Sequence, residues 1–406
     1  MAALLASSAA CGDGATSNRG STSAAPPTVS DSAGVTIVEN HAPAWGPGDG
    51  WRLDTLPEVT IGAIDGPPEY TFAAPVPYLL HDGRILVADL GAQELRYYSA
   101  SGEHLRTAGR AGSGPGEFES LSAAAVMDGD SVLAFDRRLA KVSLFDPAGG
   151  FVRDVKLQRS AASPALQFLG LISSSVWAIA TELAGPESGD AYQRFLEVSL
   201  YGSDGNRTAI LDTLIARRAL HRPVPPSNTY LDVGLPFAAR GVATAANGRM
   251  YLTQGDQFEV RVLSSTGSLE RLIRLDRPLR KVTATDIDNH MASIEEQFER
   301  FAIPDAYRPA SRDVNRDAAG RSEHMPAIRA LKVTPDGHIL VTPWAPAWEP
   351  QPDALVFDEA GRWLGELKAP EKLYIADFGP DFVIATWLDE LEVSYVGRFR
   401  LHRGTQ

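Results

Sequence analysis

The sequence predicts an all-β protein assembled from a repeated four-strand unit, and three observations carry that prediction. Thirty-six glycines and 28 prolines in 406 residues suit many short strands joined by tight turns better than a helical chain. A phrase then repeats: Gly83-Arg84-Ile85-Leu86-Val87-Ala88-Asp89 followed by Leu95-Arg96-Tyr97-Tyr98 returns as Ser131-Val132-Leu133-Ala134-Phe135-Asp136 followed by Val142-Ser143-Leu144-Phe145. Between the copies lies Gly109–Phe118, where four glycines and a proline in ten residues forbid a helix or a central strand and dictate a tight crossing.

This repeat resembles the six-bladed β-propellers of NHL-repeat type. Their pattern of a strand ending in Asp-Gly, a strand ending in Val-Ala-Asp, a strand ending in Phe-Asp-x-x-Gly and a glycine-rich crossing is matched by His81 to Phe118. The stretch Trp387-Leu388-Asp389-Glu390-Leu391-Glu392-Val393 is similar to one in bacterial propeller lipoproteins of mostly unassigned role. The resemblance covers residues 34–403. It implies fold rather than function, because propellers host binding, scaffolding and several chemistries.

Spacing gives the unit count. From Ile85 to Val132 is 47 residues, from Val132 to Val176 is 44, and from Ile339 to Phe382 is 43, lengths that hold four short strands each. Val176 to Met250 takes 74 residues and Met250 to Ile339 takes 89, so those two intervals carry insertions and the total is six units.

Taken in order, residues 1–11 read as the end of a secretory signal, apolar then small, closing on Ser8-Ala9-Ala10-Cys11. In a bacterial lipoprotein that cysteine is lipidated and tethers the protein to a membrane; the alternative is a plain secretory signal. Cys11 is the only cysteine, which excludes an intrachain disulfide. Residues 12–33, dominated by Gly, Ser, Thr, Ala and Pro, read as a flexible tether. Gly34 to Val38, Trp51 to Asp54 and Val59 to Gly62 alternate as strands do. They are expected to join the last unit, because a closed ring must pair its two ends.

The first insertion, residues 184–192 and 215–235 with Arg217, Arg218, His221 and Arg222, reads as an ordered loop over one face. The second, residues 283–323, holds an amphipathic helix whose stripe is Ile287, Met291, Ile294, Phe298 and Phe301, capped by Thr285 or Asp286 and closed by Pro304. A buried stripe requires this helix to pack on the propeller or fold over its mouth.

Composition narrows the partners. With 38 Lys and Arg against 51 Asp and Glu the net charge is −13, a surface that repels nucleic acid and anionic headgroups, so membrane contact is expected only through the lipid anchor. There is no nucleophile elbow, no dinucleotide fingerprint and no phosphate loop; Gly112-Ser113-Gly114-Pro115-Gly116 lacks the Gly-Lys-Ser/Thr ending. No catalytic residue and no cofactor are expected.

Asp89 and Asp136 end equivalent strands. They could converge on a metal, but the expected role is to hold turn amides within each unit. Among eight scattered histidines only His324, just before an inner strand, is an axial candidate. These three are the weak metal candidates of an alternative reading, a calcium- or zinc-dependent hydrolase or lyase of the lactonase or amidating-lyase kind. That chemistry needs several oxygen or nitrogen ligands from different units.

Aromatics give the stronger indication. Trp344 and Trp348 lie in Pro343-Trp344-Ala345-Pro346-Ala347-Trp348-Glu349-Pro350, and Trp387 follows the equivalent strand of the next unit. Rings held by prolines at one rim would form an apolar platform with N–H donors for a saccharide, peptide or protein. Arg240, Tyr230, Arg312 and Arg329 would add polar contacts. The expectation is an exported binding or scaffolding module acting through its loop-rich face.

Overall fold

Runs of four consecutive antiparallel strands, joined mostly by tight turns, recur along the chain. The computed structural model describes residues 26–159, 165–224 and 229–404, and among them it holds 28 strands and two α-helices. Cys11 and most of the 12–33 segment lie outside those residues. No described helix is long and apolar enough to cross a membrane.

The first run is Pro75–Leu79, Ile85–Asp89, Glu94–Tyr98 and His104–Ala108, and the next is Leu121–Val126, Val132–Asp136, Lys141–Phe145 and Phe151–Lys156. Leu166–Ser173, Val176–Ser188, Ala191–Gly202 and Arg207–Val224 follow, then Val242–Ala246, Arg249–Thr253, Glu259–Leu263 and Leu269–Leu275. Ile328–Val333, Ile339–Pro343, Ala354–Phe357 and Trp363–Lys368 come next; Tyr374–Phe378, Phe382–Leu388 and Ser394–His402 end the chain.

These runs do not stay separate in hydrogen bonding. Gly170 pairs in parallel with Ala245, and Trp51–Leu53 pairs with both Trp363–Lys368 and Ser394–His402, so the strands fall into sheets of four, four, eleven and nine.

The core lies between successive runs. Second strands are apolar on both faces because both faces are covered, and their alternate residues go opposite ways. Leu86 and Ala88 pack with Leu121, Ala124 and Val132 of the next run, whereas Ile85 and Val87 pack with Ile384 and Val396 of the last one. The same division recurs at Leu133 and Phe135 against Trp177 and Ile179, and at Ala178 and Ala180 against Met250 and Leu252. Tyr251 and Val260 meet Ile339 and Val341, and Leu340 and Val356 meet Val383 and Ala385.

Side-chain bonds reinforce the same junctions. The Tyr78 hydroxyl accepts from the Ala124 amide at 2.9 Å, Ser174 donates to Asp128 at 2.9 Å, and Asn247 donates to the Thr334 carbonyl at 3.0 Å. Lys332 donates to the Ala376 carbonyl, and Asp377 accepts from the Leu79 amide at 2.8 Å.

The glycine crossing works as its composition requires. Gly109 has a φ of 71°, and a Cβ there would lie 2.4 Å from the Phe118 ring, which is fully buried between the first two runs.

Several expectations are corrected. The amino-terminal strands do not all join the last run. Val59–Ile61 pairs with Ser394–His402, but Val35–Asn40 runs parallel to Leu269–Leu275, and Thr28–Ser32, expected within the tether, pairs with Val35–Asn40. Within the two segments, 184–188 and 191–192 on either side of a turn, and 215–224, are continuations of strands, with Thr229–Gly234 added beside Arg207–Val224. The second insertion holds two helices, α1 (Ala284–Arg300) and α2 (Arg308–Gly320). Thr283, rather than Thr285 or Asp286, caps α1: its hydroxyl accepts from the Asp286 amide while the Asp286 carboxylate accepts from the Thr283 amide. Phe301 lies beyond the helix and is 64% exposed, so it leaves the stripe.

Candidate functional site: a proline-walled cavity beside Trp344

Pro343 ends its strand, and Pro346, Pro350 and Pro352 keep the following loop from re-forming one, because proline has no N–H to offer a ladder. The loop is anchored where the Trp344 amide donates to the Ala327 carbonyl at 3.0 Å. Trp344 and Trp348 turn toward Phe237 and meet it edge-on at 6.2 and 6.3 Å. Ile287 of α1, Ala319 of α2, Val282 and Met325 complete that cluster, so the helical insertion is seated on the tryptophan loop. Both indoles are half-buried, not a free platform, and the Trp348 Nε1 is buried without a partner.

Between this loop and the two stems of the insertion opens a cavity of about 280 Å³, lined by Trp344, Ala345 and Met325 with prolines 278, 326, 343, 346, 350 and 352. Its size stands at the lower end of small-molecule sites, about 300–1,000 Å³. Arg280 closes one side, its guanidinium bonded to Glu349 at 2.6 Å and to Asp286 at 2.6 Å. A second cavity of about 510 Å³ adjoins it, sharing Phe258, Arg277 and Leu279, and is polar: Arg274 bonds Glu259 at 2.8 Å, and His41 faces Asp276 at 3.4 Å.

The other residues singled out in the sequence disperse. Trp387 stacks on Tyr395 at 5.5 Å and meets Phe399 edge-on, in a cluster separate from that of Trp344 and Trp348. Arg312 forks onto Glu295 at 2.6 and 2.7 Å and lies over Phe298, tying α2 to α1. Tyr230 stacks on His221 at 4.5 Å, Arg329 bonds Gln351, and the Arg240 side chain is exposed. None of these five lines either cavity.

Asp89 accepts from the amides of Ala73, Ala74, Gly91 and Ala92, and Asp136 from those of Glu119, Ser120, Arg138 and Leu139. Both are fully buried. His324 bridges to Lys281 through its backbone. Among the described residues no group of three or more His, Cys, Asp or Glu is placed to hold a metal ion.

The sequence reading missed three ionisable groups on first strands. Burial pushes the Tyr78 hydroxyl up to about 12, lowers the Lys332 amine and raises the Asp377 carboxyl, with Lys332 and Asp377 partly offsetting each other. All three keep some contact with solvent, but crowding by neighbouring strands dominates their titration. A lone Lys or Asp inside a short apolar strand was the only sign of them.

No known family model matches the chain, and no curated protein matches it. Among solved structures, an exported-type protein of Bacteroides fragilis shares the fold at 12% identity, with a TM-score of 0.50 over 91% of this chain and 99% of that one. A DUF4221 member from Bacteroides vulgatus is 8% identical with a TM-score of 0.47, covering 88% of this chain and 99% of its own. A gluconolactonase of Xanthomonas campestris is 11% identical with a TM-score of 0.40, covering 86% and 100%.

Proposed function

We propose that the chain is an exported six-bladed β-propeller of NHL-repeat kind that binds a ligand or protein partner through the cavity beside Trp344. The ring is supported by the packing of Ile85 and Val87 on Ile384 and Val396, where the first run meets the last, and by Val59–Ile61 supplying the fourth strand there. Export is supported by the signal-like stretch ending at Cys11 and agrees with the description of the fold-sharing Bacteroides protein. The single observation that carries the binding role is the cavity itself. Its walls are rigid prolines and an indole, and it opens between a helical insertion and a loop rather than inside the packed core.

The hydrolase or lyase alternative would need three metal ligands near the axis. The described first strands carry one carboxylate, Asp377, and no histidine.

Arrays of random peptides and of glycans, probed with the full mature chain, test the binding role. Ala345→Trp, which adds volume to the cavity wall, is expected to abolish whatever binding the wild type shows. Trp387→Ala is expected to leave binding intact while costing roughly 2–3 kcal/mol of stability, less than the ~3–5 of a fully buried ring. Binding indifferent to Ala345→Trp would contradict the assignment. For the anchor, a clickable fatty-acid label should enter the wild-type protein in a bacterial host and be absent from Cys11→Ser; labelling that survives the substitution would refute it.

A further inference from the structure

We propose that the two adjoining cavities form one groove for an extended peptide, whose apolar side chain fills the proline-walled end and whose carboxylate pairs with Arg277. This rests on the binding role assigned above and names the ligand class.

Six prolines in the first cavity wall carry no N–H, and Trp344, Ala345 and Met325 add apolar surface, while the charged lining, Arg280, Glu349 and Arg277, stands at its edge with Arg280 and Glu349 bonded to each other. A saccharide hydroxyl seated against the proline wall would go unpaired, and each unpaired polar group costs about 1–3 kcal/mol. An aliphatic or aromatic side chain has nothing to leave unpaired.

The second cavity carries more charge. Arg274 is shared by Glu259 at 2.8 Å and Glu39 at 3.6 Å, and His41 faces Asp276 at 3.4 Å, an ion pair only when the imidazole is protonated. Arg280, across the first cavity, is held by Glu349 and Asp286. Arg277 stands between them, lines both cavities and lies over the Phe258 ring at 5.5 Å, and no carboxylate pairs with its guanidinium among the described residues. An arginine oriented by an aromatic face keeps its donor edge free for a planar carboxylate. In a chain of net charge −13, an unmatched cation at the junction of an apolar and a polar cavity selects a ligand with both features close together, which a short peptide segment supplies.

The test is panning of a phage-displayed random dodecapeptide library on the full mature chain, then titration of the selected peptides as synthetic fluorescent probes. Selected sequences are expected to share an apolar residue and an acidic residue or free carboxyl terminus a few positions apart. Affinity should fall about tenfold or more in Arg277→Ala, be largely kept in Arg277→Lys, and weaken as salt rises. The unfolding midpoint of Arg277→Ala should match that of the wild type, separating lost contact from lost fold. Loss of binding in Ala345→Trp with none in Arg277→Ala would overturn the carboxylate contact and leave the cavity assignment standing. Binding unaffected by either variant would overturn both, and selected peptides without a shared acidic group would overturn the ligand class.

Discussion

At the scale of single residues, charge fastens the insertion and the chain ends as well as the strands. The Arg321 guanidinium, with burial opposing and Arg222 adding, holds the Asp317 carboxyl down to about 2. Asp336 is also held at about 2, where burial pulls upward but the Thr334 hydroxyl and the Arg403 guanidinium outweigh it. A carboxyl whose folded value lies below its unfolded value of about 4 stabilises the fold above that pH and loses the contribution as pH falls toward 2. Acid titration should therefore lower the unfolding midpoint between pH 4 and pH 2, and Asp317→Asn should flatten that slope; an unchanged slope would contradict the pairing. Both carboxylates are a third or more exposed, so the effect is a partial loss rather than a collapse.

Single residues also mark where the sequence was readable. Trp344 was legible because prolines flank it, and it does line the cavity. Trp387 has an equivalent position in the repeat, yet Gly397 lets its ring lie flat against its own sheet, and no spacing rule foretells that. Arg312 looked free because its partner Glu295 stands 17 residues earlier on another helix. Arg277 carried no motif at all; only the two cavities meeting at its side chain distinguish it from other surface arginines.

At the scale of elements, four-strand runs could be read directly, since each second strand is a short apolar stretch bounded by turn residues. The strand extensions between Leu183 and Val224 could not. Much of their length is half-buried or exposed, so no apolar alternation betrays them, and Pro186 and Gly189 read as loop. Helix α2 was hidden for a related reason: its buried stripe is Val314, Ala318 and Ala319, too small to stand out, and it packs on Leu220 and the extended strands. Helix α1 was legible through its larger stripe, and its start depends on the reciprocal cap at Thr283. Thr283→Ala should destabilise the insertion by about 1 kcal/mol, read as faster amide exchange in the first turn of α1 and a lower unfolding midpoint. Unchanged exchange there would show that packing on the tryptophan loop alone fixes the helix end.

At the scale of the whole molecule, the first and last runs meet through a core cluster as successive runs do, though a smaller one, of Ile61, Ile85, Val87, Tyr98, Ile384 and Val396. The proposed closed ring requires such a contact, which an open row of sheets, with two bare ends, would lack. The amino-terminal strands attach at three separate places, 35–40 on the fourth run, 51–53 between the fifth and the last, and 59–61 on the last, and such long-range pairings leave no local trace in sequence. The proposed groove takes its walls from two neighbouring runs and the insertion between them.

Closure can be measured across the join. Val59 and Arg398 are register partners, and partners in antiparallel strands lie about 4.5–5.5 Å apart at Cα, within disulfide reach. In a Cys11→Ser background, the pair Val59→Cys and Arg398→Cys should oxidise completely in the folded protein and raise its unfolding midpoint. A pair that stays reduced in the native state under oxidising conditions would mean that the two ends do not meet, and the ring with them would be lost.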